Sequence, residues 1–292
     1  MLLAVAALLS ACADREGDSL ARAAAEVRTG TPVPYTVTIA GVDDDALADF
    51  LTSVSATAAA ADEPAPSRLA LGRRALEDED RLARALSGEG YYDARVASTV
   101  VVSDTDAAEV TFSITLGPRY RLAAVDVRVR GEAPRYTVPD LAELGLTIGE
   151  PAVAQNILDA ETTLLELARQ AGRAYAELGE RRAVIDRDAE TLEATLVIRP
   201  GPVVTLGEVT YTGVDGIDAD FVRSRLPWEP GTRYTPELVR EARRELVATG
   251  LFRAVRVELP DTPPAEGAAP VTIAAEQRLH RTVSAGVRFE TD

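Results

Sequence analysis

The chain reads Thr249-Gly250-Leu251-Phe252-Arg253-Ala254-Val255-Arg256-Val257 at the point where a helical pattern ends and an alternating strand begins. Two earlier stretches have the same layout, namely Glu89-Gly90-Tyr91-Tyr92-Asp93-Ala94-Arg95-Val96 and Gly172-Arg173-Ala174-Tyr175. The three glycines, Gly90, Gly172 and Gly250, lie 82 and then 78 positions apart. A module of roughly 80 residues is therefore repeated three times, which is typical of tandem domains that present a binding surface.

Each module is predicted to contain a strand, two helices and two further strands. In the first module, alternation over 35–39 predicts the opening strand, and Asp43-Asp44-Asp45 offers N-cap carboxylates for a helix ending near Thr52. A second helical region over 68–87 is predicted to break near the acidic run 77–80. Strict alternation over 110–116 marks an antiparallel return strand. We therefore expect an α+β fold in which a three-stranded mixed sheet is covered by two helices in every module.

The second and third modules repeat this order. The second is predicted to have a strand near 125–129, a short helix near 138–144 and a long amphipathic helix over 151–171. Its last two strands are predicted to turn at Asp186-Arg187-Asp188. The third module is predicted to contain a strand over 203–211, helices over 218–226 and 235–249, and strands over 252–259 and 271–275.

These patterns divide the chain into six segments. The three modules are expected at residues 35–117, 118–201 and 202–279. Residues 1–13 are interpreted as a signal or lipoprotein signal segment, and residues 14–34 as a linker. Residues 280–292 alternate over about the length of one transmembrane β-strand, so we expect them to be the first strand of a C-terminal barrel absent from this sequence.

Cys12 follows an apolar run that is too short to span a membrane as a helix. Leu9-Ser10-Ala11-Cys12 resembles the signal of bacterial lipoproteins, in which the cysteine is acylated. Conventional cleavage after Ala13 fits the same residues, so both processing routes remain open. Either route predicts that the protein leaves the cytoplasm.

Composition argues for binding rather than catalysis. The formal charge is −16, from 31 basic and 47 acidic side chains, without a dense basic run. Such a surface repels phosphate backbones, which argues against nucleic acid as a partner. The single cysteine and single histidine, Cys12 and His280, rule out disulfide frameworks and Cys/His zinc sites. No nucleophile and base have a recognisable catalytic spacing, so we expect neither an enzyme nor a cofactor.

The order of elements, the glycine-aromatic start of the second strand, Pro200-Gly201-Pro202 and the three tandem copies resemble the POTRA domains of the BamA/TamA family of outer-membrane assembly factors. The resemblance covers residues 35–292, and three copies are most similar to its TamA branch. It implies a receptor arm on the periplasmic face of the outer membrane that binds unfolded outer-membrane or autotransporter proteins. It also implies a TamB-like periplasm-spanning partner and a C-terminal barrel in the outer membrane.

The resemblance places the second strand of each module at a sheet edge, over Tyr92–Val102, Tyr175–Ile185 and Phe252–Leu259. An edge strand has unpaired backbone groups, so an extended client can pair with it as an added strand. The candidate client or partner positions are Tyr92, Val96, Val100, Tyr175, Val184, Phe252, Val255, Arg256 and Val257. For the three aromatic residues, anchoring of the core is the preferred interpretation. Trp228 is interpreted as an exposed aromatic and a candidate contact with the barrel.

Two other classes of protein remain open from the sequence. A self-sufficient periplasmic scaffold or lipoprotein adaptor would contain the same repeats without a barrel. A two-partner secretion transporter usually has two such modules and an N-terminal plug helix, so it fits three modules less well.

Overall fold

The computed structural model describes residues 31–104, 107–133, 135–265 and 267–278. Within these ranges the chain forms three β-sheets, each with helices, so the predicted α+β fold is confirmed. The predicted signal segment with Cys12 and the predicted barrel strand over 280–292 lie outside the described residues.

The first sheet has the strand order β1–β3–β2. Its strands are β1 (Tyr35–Ala40), β2 (Arg95–Val102) and β3 (Ala108–Thr115). The helices between β1 and β2 are α1 (Asp45–Val54), α2 (Ala56–Ala59) and α3 (Arg68–Gly88). β1 is parallel to β3 and β2 is antiparallel to it, as expected for a mixed sheet. Asp44 caps α1 by accepting hydrogen bonds from the amides of Ala46 and Leu47 at 2.9 and 3.2 Å.

The second sheet has four strands because the predicted second strand is divided into two short pieces. Its strands are β4 (Arg121–Val129), β5 (Glu177–Leu178), β6 (Arg182–Asp186) and β7 (Thr191–Arg199), and its helix is α4 (Ala154–Gln170). The strand order is β4–β7–β5, and β6 also pairs with β7. Asp186 accepts hydrogen bonds from the amides of Asp188 and Ala189 at 3.0 and 2.9 Å, which closes the turn predicted between β6 and β7.

The third sheet has the order β8–β10–β9, with β8 parallel and β9 antiparallel to β10. Its strands are β8 (Thr205–Thr212), β9 (Phe252–Glu258) and β10 (Ala268–Gln277), and its helices are α5 (Ala219–Arg223) and α6 (Pro236–Ala248). The hydroxyl of Thr235 caps α6 by accepting from the Leu238 amide at 3.3 Å. Gly250 follows α6 with a φ of 76°, which is the left-handed conformation expected of a glycine that ends a helix.

Two details of the predicted helices are wrong. α3 runs without a break through the acidic residues 77–80 because one of them, Asp78, is fully buried and hydrogen-bonded to the α1–α2 junction. Residues 141–145 form turns rather than the helix predicted near 138–144. The amide of Leu146 bonds to the carbonyl of Leu141 at 2.9 Å, and Gly145 before it has a φ of 71°, which ends the helical path after one turn.

The chain divides into two compact units. The described part of the first comprises 31–122 with 149–155 and 186–192, and the second comprises 123–148, 156–185 and 193–278. Both units include parts of the second sheet, so the three predicted module boundaries remain a prediction. In the described ranges, no helix has the length and apolar character needed to cross a membrane.

Candidate polypeptide-binding edges

The second strand of each module lies at an edge of its sheet. β2 and β9 are the last strands in the orders β1–β3–β2 and β8–β10–β9, and β5 is the last in β4–β7–β5. In the first two modules the edge strand begins later than predicted, at Arg95 and Glu177, because Tyr92 and Tyr175 lie within turns that precede the strand.

A carboxylate from α3 occupies part of the β2 edge. Glu79 Oε1 accepts hydrogen bonds from the Ser98 amide at 2.7 Å and from the Ser98 hydroxyl at 2.6 Å. The Ser98 amide therefore points away from β3. Because alternate amides of a strand point to the same side, those of Val96 and Val100 point outward as well. Val96 and Val100 are partly buried and pack against the core. In β2, therefore, the residues whose side chains face the core have amides that face the open edge of the sheet.

The helix of the second module has a carboxylate at the equivalent position. Glu161 lies 82 residues after Glu79, which is the spacing of the first two repeat glycines. Glu161 is 7% exposed and pairs with Arg181, between β5 and β6. In the third module the equivalent residue, 78 positions later, is Val239, which has no acceptor group. Among the described residues, no side chain accepts a hydrogen bond from an amide of β9.

The side chains of β9 alternate between the core and solvent. Val255 is buried and Val257 packs partly buried against the core of the third module, whereas Arg256 is exposed and lies opposite Ala274 of β10. The first and third sheets have the same strand order and directions. In two strands that run in the same direction, L-residues whose side chains face the core have amides that point to the same side. By comparison with β2, the amides of Val255 and Val257 in β9 therefore face the open edge. That of Arg256 faces β10.

A cavity of about 560 Å³ lies between α6 and β9. Its apolar wall includes Val247 and Val255, and its polar rim consists of Arg240, Arg243, Arg244 and Arg253. Glu237 pairs with Arg240 and Arg244 at 2.6 and 3.0 Å, and the hydrogen bonds from these arginines lower the pKa of Glu237. The open edge of β9 is therefore flanked by an apolar cleft with a basic rim, on a chain whose net charge is −16.

The edge of the second sheet is shorter and more irregular. Gly179 follows β5 and donates its amide to the Val197 carbonyl at 2.7 Å. A Cβ atom at Gly179 would lie 2.7 Å from Val197 Cγ1, so glycine is needed for this close approach. All residues of β6 are exposed, including Val184 at 43%.

The aromatic residues at the predicted strand starts, Tyr92, Tyr175 and Phe252, differ in their surroundings. Phe252 is fully buried, as the preferred interpretation predicts. The Tyr92 hydroxyl donates to the Ala152 carbonyl at 3.1 Å, and its ring packs edge-to-face on Tyr120 with centroids 5.2 Å apart. Burial raises the pKa of Tyr92. The Tyr175 hydroxyl is buried, and the described residues offer it no hydrogen-bond partner.

The predicted exposure of Trp228 is wrong. Its side chain is 7% exposed and belongs to the core of the third module. The loop that contains it is rich in proline, glycine and glutamate, which identifies a turn but not the direction in which the indole points. Burial removes the surface on which a barrel contact of Trp228 would depend.

Comparison with known proteins identifies relatives of this chain. Residues 204–276 match the POTRA family model, described as "Surface antigen variable number repeat". The chain is 23% identical over 185 residues to "Outer membrane protein assembly factor BamA" of Neisseria meningitidis serogroup B. This match covers 62% of the chain but only 23% of that relative's length.

Two solved structures of BamA are also similar to this chain. The first contains POTRA3-5 from Haemophilus influenzae, with 18% identity, a TM-score of 0.48, and coverage of 85% of this chain and 96% of that one. The second is BamA from Haemophilus ducreyi lacking POTRA domains 1-3, with 13% identity, a TM-score of 0.45, and coverage of 55% and 30%. Residues 204–276 are thus similar to POTRA domains, and the chain is similar to BamA over 185 residues.

Proposed function

We propose that this chain is the periplasmic receptor arm of an outer-membrane protein assembly factor, and that it binds extended client segments along β9. The POTRA match over residues 204–276 includes β9, and the curated relative is named as an outer-membrane assembly factor. The proposal includes attachment to a C-terminal barrel, a TamB-like partner, and unfolded outer-membrane or autotransporter proteins as clients.

The observation that carries the proposal is the open edge of β9. The β2 edge has its central amide paired with Glu79, and the second sheet has a broken edge strand. The amides of β9 have no side-chain acceptor among the described residues. An added strand would satisfy these amides, and main-chain pairing does not depend on the client's side chains. One edge can therefore receive many different strand-forming clients without a catalytic group.

The flanking cleft supports the same location. A client strand on β9 places alternate side chains over the cleft between α6 and β9, where Val247 and Val255 offer apolar contact. In the rim, Arg240 and Arg244 pair with Glu237, and Arg253 pairs with Glu276 at 2.8 Å. Arg243 therefore provides the charge that favours clients with acidic residues on this side, since opposite charges steer association. We therefore expect amphipathic client strands with flanking carboxylates to bind best.

The test compares two variants at one position in the complete chain. Val257→Pro removes an outward amide, whereas Val257→Ala removes a similar part of the side chain and retains the amide. Proline is tolerated on edge strands when its missing N–H faces solvent. With a fluorescein-labelled ten-residue peptide of alternating apolar and polar residues, we expect Val257→Pro to weaken binding by about tenfold relative to Val257→Ala, measured by fluorescence anisotropy.

Circular dichroism would confirm that both variants keep the fold. Equal peptide affinity for the two folded variants would exclude β9 as the binding edge. Arg256→Pro is unsuitable for this comparison, because the Arg256 amide faces β10 and its loss would disrupt the sheet itself.

A further inference from the structure

The second compact unit contains a cavity of about 670 Å³ that no part of the proposed function uses. Three arginines from separate segments line it, namely Arg135, Arg173 and Arg233. Leu167, Ala171 and Val203 provide apolar wall, and Tyr136, Thr137 and Thr205 add further polar groups. Convergence of three guanidinium groups is unexpected in a chain with 47 acidic and 31 basic side chains.

Two of the guanidinium groups are held in place by the backbone. Arg173 is 3% exposed, donates to the Gly201 carbonyl, and lies over the Tyr136 ring with its Cζ 5.1 Å from the centroid. Arg233 Nη2 donates to the Ala171 carbonyl at 2.6 Å. The Arg233 side chain lies so close over Gly172 that a Cβ atom there would be 2.5 Å from Nε. Both cations are thus ordered before any ligand arrives.

The electrostatics of the cavity favour an anion. Burial lowers the pKa of Arg173, the Tyr136 phenol opposes this shift, and the positive charge of Arg233 lowers the pKa further. Among the described residues, no carboxylate lies within ion-pair distance of Arg135 or Arg233. Like charges held together at a partly desolvated site destabilise each other until a counter-ion binds.

The Tyr136 hydroxyl supplies an independent observation. Its oxygen is buried, and it has no hydrogen-bond partner in the described part of the chain. Burial raises the pKa of Tyr136, and the nearby charge of Arg173 partly opposes that shift, so the phenol stays protonated and can donate. A buried polar group without a hydrogen-bond partner lowers the stability of the fold, and such groups are rare in folded proteins. Tyr136 lines the cavity, and its hydroxyl is a donor that no described residue uses.

We propose that this cavity binds a phosphate group carried by a larger, partly apolar molecule. A guanidinium group can donate two parallel hydrogen bonds to the oxygens of a phosphate. Three guanidinium groups offer more donors than the two oxygens of a carboxylate can accept, which favours phosphate over carboxylate. The volume of about 670 Å³ and the apolar wall leave room for the remainder of the molecule beside the anion. This site is independent of strand pairing at β9.

The experiment uses the complete chain and NMR titration at constant ionic strength. Amide shifts of Tyr136, Gly172, Arg173 and Thr205 are followed as inorganic phosphate, glycerol 3-phosphate or acetate replaces chloride. A parallel sedimentation assay uses vesicles of phosphatidylglycerol or of phosphatidylcholine. We expect saturable shifts with the two phosphates that are weaker or absent with acetate, since a carboxylate engages fewer donors.

Arg135→Gln and Arg233→Gln are expected to weaken phosphate binding by about tenfold each, because each removes a charge-assisted contact. Arg182→Gln makes the same charge change in the same unit but outside the cavity, so it should bind like wild type. Arg135 is exposed, which keeps the test interpretable if Arg233→Gln fails to fold.

Tighter binding of glycerol 3-phosphate than of inorganic phosphate supports a soluble organic phosphate. Selective sedimentation with phosphatidylglycerol, lost in Arg135→Gln, supports a lipid headgroup. The proposal is overturned if no phosphate-bearing probe binds saturably, if acetate binds equally well, or if Arg182→Gln weakens binding as much as the cavity variants do. None of these results depends on peptide binding at β9.

Discussion

At the scale of single residues, Asp78 connects the helices of the first module. It accepts hydrogen bonds from the Ser55 hydroxyl at 2.8 Å and from the amides of Ala56 and Thr57 at 3.2 and 2.7 Å, and it pairs with Arg81. Its side chain is fully buried within α3. Acidic residues in mid-helix are usually solvated, which explains why the sequence pattern indicated a break here. The burial of Asp78 instead joins α3 to the start of α2.

The pKa of Asp78 predicts how stability depends on pH. Burial alone would raise this pKa, but the hydrogen bonds from residues 55–57 outweigh it and lower the pKa below its ordinary value of 3.8. A carboxyl group whose pKa is lower in the folded state than in the unfolded state stabilises the fold at pH values above its unfolded-state pKa. This stabilisation is lost as the pH falls through the folded-state pKa. We expect Asp78→Asn to lower the free energy of unfolding by about 2 to 4 kcal/mol at neutral pH, and by less below about pH 4.

Urea denaturation followed by circular dichroism at several pH values measures this difference. Asp80→Asn is the matched control, since Asp80 is exposed two residues further along α3 and its change should cost about 0.5 kcal/mol or less. Equal stability of Asp78→Asn and wild type at neutral pH would contradict the assigned role of Asp78.

At the scale of elements, sheet edges of the same topology differ in how open they are. On β2 the Ser98 amide is paired with Glu79, while the amides of β9 have no side-chain acceptor among the described residues. A helix side chain thus covers one edge and not the other. Natural proteins protect edge strands with charged side chains for the same physical reason, because unpaired amides attract other chains.

Glu79→Ala should uncover the β2 edge at one point. We expect the Ser98 amide to exchange with solvent at least about tenfold faster, because its acceptor is lost. The neighbouring amides of Ala97 and Thr99 point toward β3 and should change little. Hydrogen exchange followed by NMR resolves these three amides.

Glu77→Ala serves as the control, since Glu77 is exposed on the same helix and, among the described residues, pairs only with Arg73, at 3.7 Å. A Ser98 amide that exchanges at the wild-type rate in Glu79→Ala would show that Glu79 does not protect this edge.

At the scale of the whole molecule, the cores of the first and third modules are each built from one continuous part of the chain. The core of the first module draws on residues between 33 and 116, and that of the third on residues between 206 and 275. Neither cluster includes residues from another module. A region with a continuous core of this kind can fold alone, because a domain folds alone when its core closes on itself.

Residues 202–278 should therefore fold as an isolated domain. We expect cooperative thermal unfolding and a near-ultraviolet signal from the buried Trp228. Leu246→Ala in the fragment should lower the free energy of unfolding by about 2 to 5 kcal/mol, because Leu246 is fully buried. A fragment that shows helical signal without cooperative melting would place part of its core elsewhere in the chain.

The sequence by itself determined the repeat and the order of elements in the first and third modules, whereas the edge position of the second strands came from the resemblance to POTRA domains. These features are local: helix and strand periodicities, capping residues such as Asp44 and Thr235, and the glycine after each helix are readable within a few residues. Their physical basis is the backbone geometry of single elements, which neighbouring residues control.

Only the tertiary structure decided the burial of Trp228, the continuity of α3 and the contact of Glu79 with Ser98. It also brought Arg135, Arg173 and Arg233 to one cavity. Such contacts join residues that are distant in sequence, with 19 positions between Glu79 and Ser98 and 62 between Ala171 and Arg233. Local patterns cannot predict them, because the energy that orients each side chain comes from partners that only the packed fold brings close.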